Sequence, residues 1–354
     1  MSALLSGLRC PIVQAPMGGG PSTPRLAAEV AGAGGLGFLA AGYRSAEQMS
    51  EEIAATRELT DGFGVNLFVP GPRAEREALE PYLRELEAEA GRYGTRIGEP
   101  RWSDDEFEAK LESLVRDPVP VVSFTFGCPT GDAIEELKRA GSECWVTVTD
   151  PEEGRVAKDA GAEALIAQGF EAGAHQGSFG EAGEGDPLGL LSLLQLLGAE
   201  VGMPLVASGG IATGAAVAAV LAAGAAAAQL GTAFLLCPEA GTSDVHRQGL
   251  GGARPTRLTR AFTGRPARGV VNRFLADHPG APAGYPEIHY ATAPLRAAAR
   301  AAGDPDGVNL WAGQTHRLAR REPAAELVAR LDAEARVALA TASRRHPPAG
   351  RTDS

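Results

Sequence analysis

Eight short apolar runs, each suited to a buried strand, alternate along this chain with helical patterns or turn residues. They fall at residues 10–15, 34–40, 63–68, 118–124, 144–148, 163–167, 204–208 and 226–230. Helical patterns occupy 24–33, 45–56, 132–140, 151–160 and 214–223. The first of these opens with Ser22 or Thr23 as a cap and Pro24 in its first turn. Strands alternating with helices predict a parallel sheet. Eight repeats predict an α/β fold of the (β/α)8 TIM-barrel class, with a doubly wound sheet as the alternative.

The chain has 354 residues, more than the ~250 of a bare barrel. Residues 1–250 are expected to form the barrel, with a helical insertion at about 70–117 that carries an acidic helix at 73–90. Residues 251–354 are expected to form a mostly helical appended segment, with helices at 286–303 and 326–343, partly covering the active site. The Gly- and Glu-rich stretch 179–187 reads as a mobile loop, and the end from residue 344 as frayed.

A net charge of −11 argues against a nucleic-acid partner. The four cysteines lie far apart and form no C-x-x-C pair, so neither zinc nor a redox dithiol is expected. A reducing cytoplasm is the expected location, and the first ten residues lack a signal-peptide pattern. Residues 214–236 are long and apolar enough to span a bilayer. Their Ala- and Gly-rich composition fits a core helix followed by a buried strand better, so no membrane partner is expected.

In a parallel barrel, function gathers at the C-terminal ends of the strands. The seventh run ends in Ser208-Gly209-Gly210-Ile211 before a helix, and the eighth in Gln229-Leu230-Gly231-Thr232. Glycines let backbone amides approach an anion, and a helix N-terminus adds its dipole. A phosphate-bearing cofactor or substrate is the functional reading; a simple chain turn is the alternative. The first run ends in Gln14-Ala15-Pro16-Met17-Gly18-Gly19-Gly20, where a flat ring could lie against the backbone. No G-x-G-x-x-G stands in a Rossmann context.

The sixth run leads into Gln168-Gly169-Phe170-Glu171-Ala172-Gly173-Ala174-His175. Gln168 could bond a ring edge, and His175 could act as a base near neutral pH; a surface histidine is the alternative. Asn66, at the end of the third run, could face the same mouth or cap a turn. His246, His278, His289, His316 and His346 lack metal-ligand spacing and are expected at the surface, so no metal site is expected. Residues 254–273 hold six arginines and no acid, and read as a solvated or ion-paired segment.

Taken in order, these motifs resemble the nitronate monooxygenase family, formerly the 2-nitropropane dioxygenases. The matching stretches are Pro11-Ile-Val-Gln-Ala-Pro-Met-Gly-Gly, Gly64-Val-Asn-Leu-Phe, Gln168-Gly-Phe-Glu-Ala-Gly-Ala-His-Gln-Gly, Pro204-Leu-Val-Ala-Ser-Gly-Gly-Ile and Gln229-Leu-Gly-Thr-Ala-Phe. Thr259-Arg-Ala-Phe-Thr-Gly-Arg-Pro-Ala-Arg and Leu310-Trp-Ala-Gly-Gln are similar to the family's C-terminal part, so the resemblance runs from about residue 8 to 320. It implies a TIM barrel with a mostly helical appended substrate domain and non-covalent FMN. It carries flavin contacts onto Ala15, Pro16, Met17, Gly18, Asn66, Gln168, Gly173, Ser208, Gly209, Gly210, Gly231 and Thr232, with Gly209, Gly210, Gly231 and Thr232 at the phosphate. The family's catalytic histidine falls on His175. The implied reaction takes an alkyl nitronate, or a nitroalkane, with O2 to a carbonyl compound and nitrite.

Two departures stand out. The family's usual E-A-G-G-H reads Glu171-Ala-Gly-Ala-His here, so Ala174 adds a methyl group. One class of the family carries Tyr, Tyr and Lys four residues apart where this chain has Tyr285, His289 and Ala293. Tyr285 and His289 are thus the implied substrate contacts. The missing lysine leaves Arg260 or Arg268 as the expected replacement cation. An NAD(P)H-dependent FMN reductase acting on an enoyl thioester or a quinone shares the flavin motifs and is the alternative reading. A catalytically idle barrel used for binding or assembly is a third. The expected assembly is a monomer or homodimer.

Overall fold

The computed structural model describes residues 2–180 and 187–345. Most of the expected loop at 179–187, and the end beyond residue 345, lie outside the described residues. Eleven strands are present among the described residues. They are β1 (Ile12–Gln14), β2 (Gly37–Ala40), β3 (Phe63–Phe68), β4 (Val121–Thr125), β5 (Glu143–Val148), β6 (Ala164–Gln168), β7 (Ala174–His175), β8 (Leu205–Ser208), β9 (Ala227–Leu230), β10 (Thr256–Thr259) and β11 (Ala267–Val270).

Eight of them form one parallel sheet in the order β1-β9-β8-β6-β5-β4-β3-β2. A parallel bridge between Val13 and Leu36 joins its two ends and closes the barrel. The apolar runs are buried on both faces because alternate residues point to opposite sides. Val13, Phe38, Val121, Trp145, Ile166 and Val206 pack together inside the barrel. Their neighbours Ile12, Leu39, Val122, Val146, Leu165 and Ala207 face the surrounding helices. Leu5, from the short N-terminal helix Ala3–Gly7, joins the interior cluster.

The insertion between β3 and β4 contains the helices Arg76–Gly91 and Phe107–Arg116. The first does not lie on the barrel wall. Its Leu79, Tyr82, Leu83 and Leu86 share a core with Phe262, Phe274, Ile288 and Leu295 from beyond residue 251. The insertion and the appended segment therefore build one cap. The last helix, Ala324–Arg345, takes no part in that core. It packs on the barrel helices Gly214–Ala222 and Pro24–Gly32, and Glu334 Oε2 accepts the Gly214 amide at 3.0 Å.

The arginine-rich stretch departs most from its sequence reading. It forms the hairpin β10–β11, whose inner strand pairs antiparallel with β7. Part of that reading holds: Arg254 and Arg257 are exposed, Arg254 pairs with Asp306, and Arg273 pairs with Glu89 and Asp277. Arg265 and Arg268 are buried, and Arg268 donates to the Phe170 carbonyl through Nε at 3.0 Å and Nη2 at 2.8 Å. Buried guanidinium groups satisfy loop carbonyls that no ladder reaches, which fixes the segment after β6. No helix among the described residues is long and apolar enough to cross a membrane.

Candidate active site

A cavity of about 430 Å³ opens at the C-terminal mouth of the barrel. All eight barrel strands or the loops that follow them contribute to its wall. At one end stand the turns after β8 and β9. Gly209 and Gly210 hold φ of +118° and +67°, in the left-handed region that favours glycine. A Cβ on Gly209 would come within 3.0 Å of the Gly169 carbonyl oxygen. Neither glycine amide donates to a backbone acceptor among the described residues. The helix Gly214–Ala222 begins just beyond them, capped by Thr213, whose hydroxyl accepts from the Ala216 amide at 3.2 Å. Amides so placed beside a helix N-terminus can approach an anion. Gly231 and Thr232 border the same end, and Thr232 Oγ1 accepts the Gly313 amide at 2.9 Å, tying the segment after β11 to the barrel mouth.

The charge of the lining agrees. Arg296 and Arg300 lie on the wall and, among the described residues, no carboxylate residue does, although the whole chain carries −11. Gln229 Oε1 and Asn309 Oδ1, both from lining residues, are buried without a hydrogen-bond partner, which suits a ligand that brings donors. Ala15–Gly19 supply a backbone wall against which a flat ring can lie. Asn66 donates through Nδ2 to Ser123 Oγ and Thr125 Oγ1, each at 3.0 Å, which fixes its amide at the mouth. Gln168 is engaged differently from its sequence reading. Its Oε1 accepts the Gly177 amide at 2.7 Å and its Nε2 donates to the His175 carbonyl at 3.2 Å. It positions the histidine loop and still borders the cavity.

At the other end His175 sits in β7, set by its pairing with Ala267. Its Nε2 is 3.0 Å from Thr263 Oγ1, and that hydroxyl reaches the Arg265 carbonyl at 3.3 Å. With the threonine proton given to the carbonyl, the histidine keeps its proton on Nε2 and a lone pair on Nδ1. Phe126, Tyr285 and Trp311 surround the ring with centroids 5.6, 5.5 and 5.8 Å away. Burial pushes the His175 pKa down to about 3, assisted by Arg265 and Arg296. A base titrating near neutrality, the sequence reading, is therefore replaced by an imidazole that is neutral throughout the physiological range.

Burial likewise pushes His246 down to about 4 and His289 well below its ordinary value. A folded pKa below the unfolded 6.5 means the unfolded chain binds more protons, so this stability is present above pH 6.5 and lost below it. Lowering the pH from 7.5 to 5.5 should cost roughly 1 kcal/mol for each of the three. Urea unfolding at the two pH values checks this, and a flat response would show that these rings are already protonated in the fold. His246→Gln should make the loss visibly smaller.

Ala174 has φ +62°. A left-handed alanine costs about 1–2 kcal/mol, partly offset by the greater freedom glycine has when unfolded. Ala174→Gly should therefore raise stability by roughly 0.5–1 kcal/mol. An unchanged or lower urea midpoint would remove the strain.

Of the residues expected at the site, Ala15, Pro16, Met17, Gly18, Asn66, Gln168, Gly173, His175, Ser208, Gly209, Gly210, Gly231, Thr232 and His289 all border the cavity. Tyr285 stands behind that surface, its hydroxyl donating to Tyr43 Oη at 3.0 Å. Tyr43 takes the place on the cavity wall, stacked on His289 with centroids 4.0 Å apart. Its φ of +67° is held by Asp105, which accepts the Tyr43 amide at 2.9 Å and is itself fixed by Lys110 at 2.7 Å. The expectation that the histidines lie at the surface fails for His246, on the wall with Nε2 2.9 Å from the Trp311 carbonyl, and for His278 and His316, which are buried. His346 lies outside the described residues. Neither Arg260 nor Arg268 reaches the wall, whereas Arg296 and Arg300 do; Arg296 stands on the helix of His289. Its seven-residue spacing from His289, two turns on one helix face, was the available signal.

The nitronate monooxygenase family model matches residues 2–334. A nitronate monooxygenase of Pseudomonas aeruginosa is 44% identical over 346 residues, covering 94% of this chain and 98% of that protein. The nitroalkane oxidase structure from Streptomyces ansochromogenes superposes with a TM-score of 0.94 at 53% identity, covering 97% of this chain and 100% of that one. The FabK structure from Thermotoga maritima superposes with a TM-score of 0.75 at 25% identity, covering 97% and 98%.

Proposed function

The chain belongs to the nitronate monooxygenase family, and on that premise we propose that it oxidises alkyl nitronates with O2 to carbonyl compounds and nitrite, using FMN held in the barrel mouth. The observation that carries this reading is a cavity with glycine turns ahead of a helix N-terminus at one end and a neutral histidine at the other. Gly209, Gly210, Gly231 and Thr232 would hold the phosphate through amides and the neighbouring helix N-terminus. Ala15, Pro16, Met17, Gly18, Asn66, Gln168, Gly173 and Ser208 would border the ring. The flavin supplies the electron acceptor.

The protein's own groups then decide which substrate is handled well. His175, neutral and with Nδ1 free, can accept a proton from a nitroalkane. Its lowered pKa makes it a weak base, so proton abstraction is slow relative to the capture of a preformed nitronate. Nitronate is therefore the better substrate and nitroalkane the poorer one. Phe126, Tyr285 and Trp311 surround the imidazole and keep water from it. The purified protein should be yellow. Anaerobic propane-2-nitronate should change its flavin spectrum, and aerobic turnover should release nitrite. A yellow protein that ignores nitronate but is bleached by NADH would instead be a reductase.

A further inference from the structure

Arg296 presents a charge that the fold does not neutralise. Its side chain is 8% exposed and borders the cavity. Its hydrogen bonds go to neutral acceptors one turn or two back on its own helix: Nε to Thr292 Oγ1 at 3.1 Å and Nη2 to the His289 carbonyl at 2.8 Å. No carboxylate pairs with it among the described residues. Burying a guanidinium without a counter-charge is costly; Arg300 adds to that cost, and the other neighbours bring no negative charge. His175 and His289 beside it are held neutral, and Tyr43 and Tyr285 bond to each other. These bonds, with a longer contact from Nη2 to His289 Nδ1 at 3.5 Å, are those of a group being aimed: they fix the guanidinium plane and leave Nη1 without a hydrogen bond among the described residues.

The arginine comes from the cap, on the helix Glu287–Ala301, whereas the glycine turns come from the barrel. A cationic feature, apart from the glycine turns, thus stands on the cavity wall near His175 and His289. We propose that Arg296 holds the negative charge of the substrate, donating from Nη1 to an oxygen of the planar nitronate, and so sets the preference for nitronate over neutral nitroalkane. The assignment rests on the nitronate reading above. A charge-assisted bond of this kind is lost with the guanidinium and is partly recovered by an ammonium group, which keeps the charge without the fork.

The test compares Arg296→Gln and Arg296→Lys with the wild-type holoenzyme, with flavin content and urea midpoint measured on each. In Arg296→Gln the KM for propane-2-nitronate should rise roughly 30- to 100-fold, while the KM for 2-nitropropane should stay within about threefold. The Kd of propionate, an unreactive planar anion followed by its effect on the flavin spectrum, should rise by a similar factor. Arg296→Lys should recover part of both. A nitronate KM within threefold of wild type, or an equal loss on both substrates, would overturn the assignment. A wild-type protein that makes no nitrite from nitronate would instead end the functional reading, and the propionate comparison would still report whether Arg296 binds anions.

Discussion

The Gly231→Asp protein is expected to purify without flavin. Gly231 borders the proposed phosphate site, and a Cβ there would meet only Ala15 Cβ at 3.5 Å and Met17 at 3.8 Å or more, which is ordinary contact. Gly231→Ala should therefore fold and remain yellow. The aspartate adds a carboxylate beside the phosphate. At ~4 Å and an effective dielectric constant of about 20, each pair of unit charges repels by about 4 kcal/mol, so FMN affinity should fall at least about a thousandfold. Equilibrium dialysis against FMN and against riboflavin, which lacks the phosphate, separates charge from shape. FMN binding should collapse and riboflavin binding should change little. Equal loss of both, or FMN binding as in wild type, would move the phosphate elsewhere. Gly209→Asp points the same way but is a poorer test, because φ +118° and a carbonyl 3.0 Å from its Cβ would strain any side chain.

His175→Asn should keep its flavin and lose between about a hundredfold and ten-thousandfold in kcat/KM for 2-nitropropane, the usual worth of a positioned base. Loss on propane-2-nitronate should be less than about tenfold, because that substrate brings no proton to remove. The backbone pairing of residue 175 with Ala267 does not depend on the side chain, so the loop should stay in place. The pH profile gives a second check. With His175 held at about 3 by burial and two arginines, activity on nitroalkane should show no falling limb from this residue between pH 8 and 5. Full nitroalkane activity in the variant would remove His175 from the mechanism, and a limb near pH 6.5 would show a ring far less desolvated than its surroundings imply.

The barrel was legible because its strands are short, apolar and separated by helices, and such runs carry their own period. Residues 63–68 are predicted as a strand and found as one to the residue. The glycine turns at Gly209 and Gly231 were legible for a related reason: a strand end, a glycine and a following helix sit together in the sequence. The cap was not. Residues 256–259 and 267–270 form strands only because β7 and a cap core receive them, and the arginines spread through 254–273 conceal any alternation. Arg296 and Tyr43 were missed for the same cause, since what aims them, the His289 carbonyl and the Asp105 carboxylate, is supplied by folding. Tyr43 and Phe126 also hold positive φ, which no residue type other than glycine advertises.

The final helix has a consequence for the order in which the molecule can be made. Residues 324–345 cover the wall formed by the helices that precede β2 and β9, the helix before β9 being the one whose start faces the glycine turns. A chain still emerging from the ribosome has all eight barrel strands outside long before that wall is covered. The cavity lining among the described residues is complete by Thr315, so strands and lining can assemble before this helix docks and braces the wall behind the glycine turns.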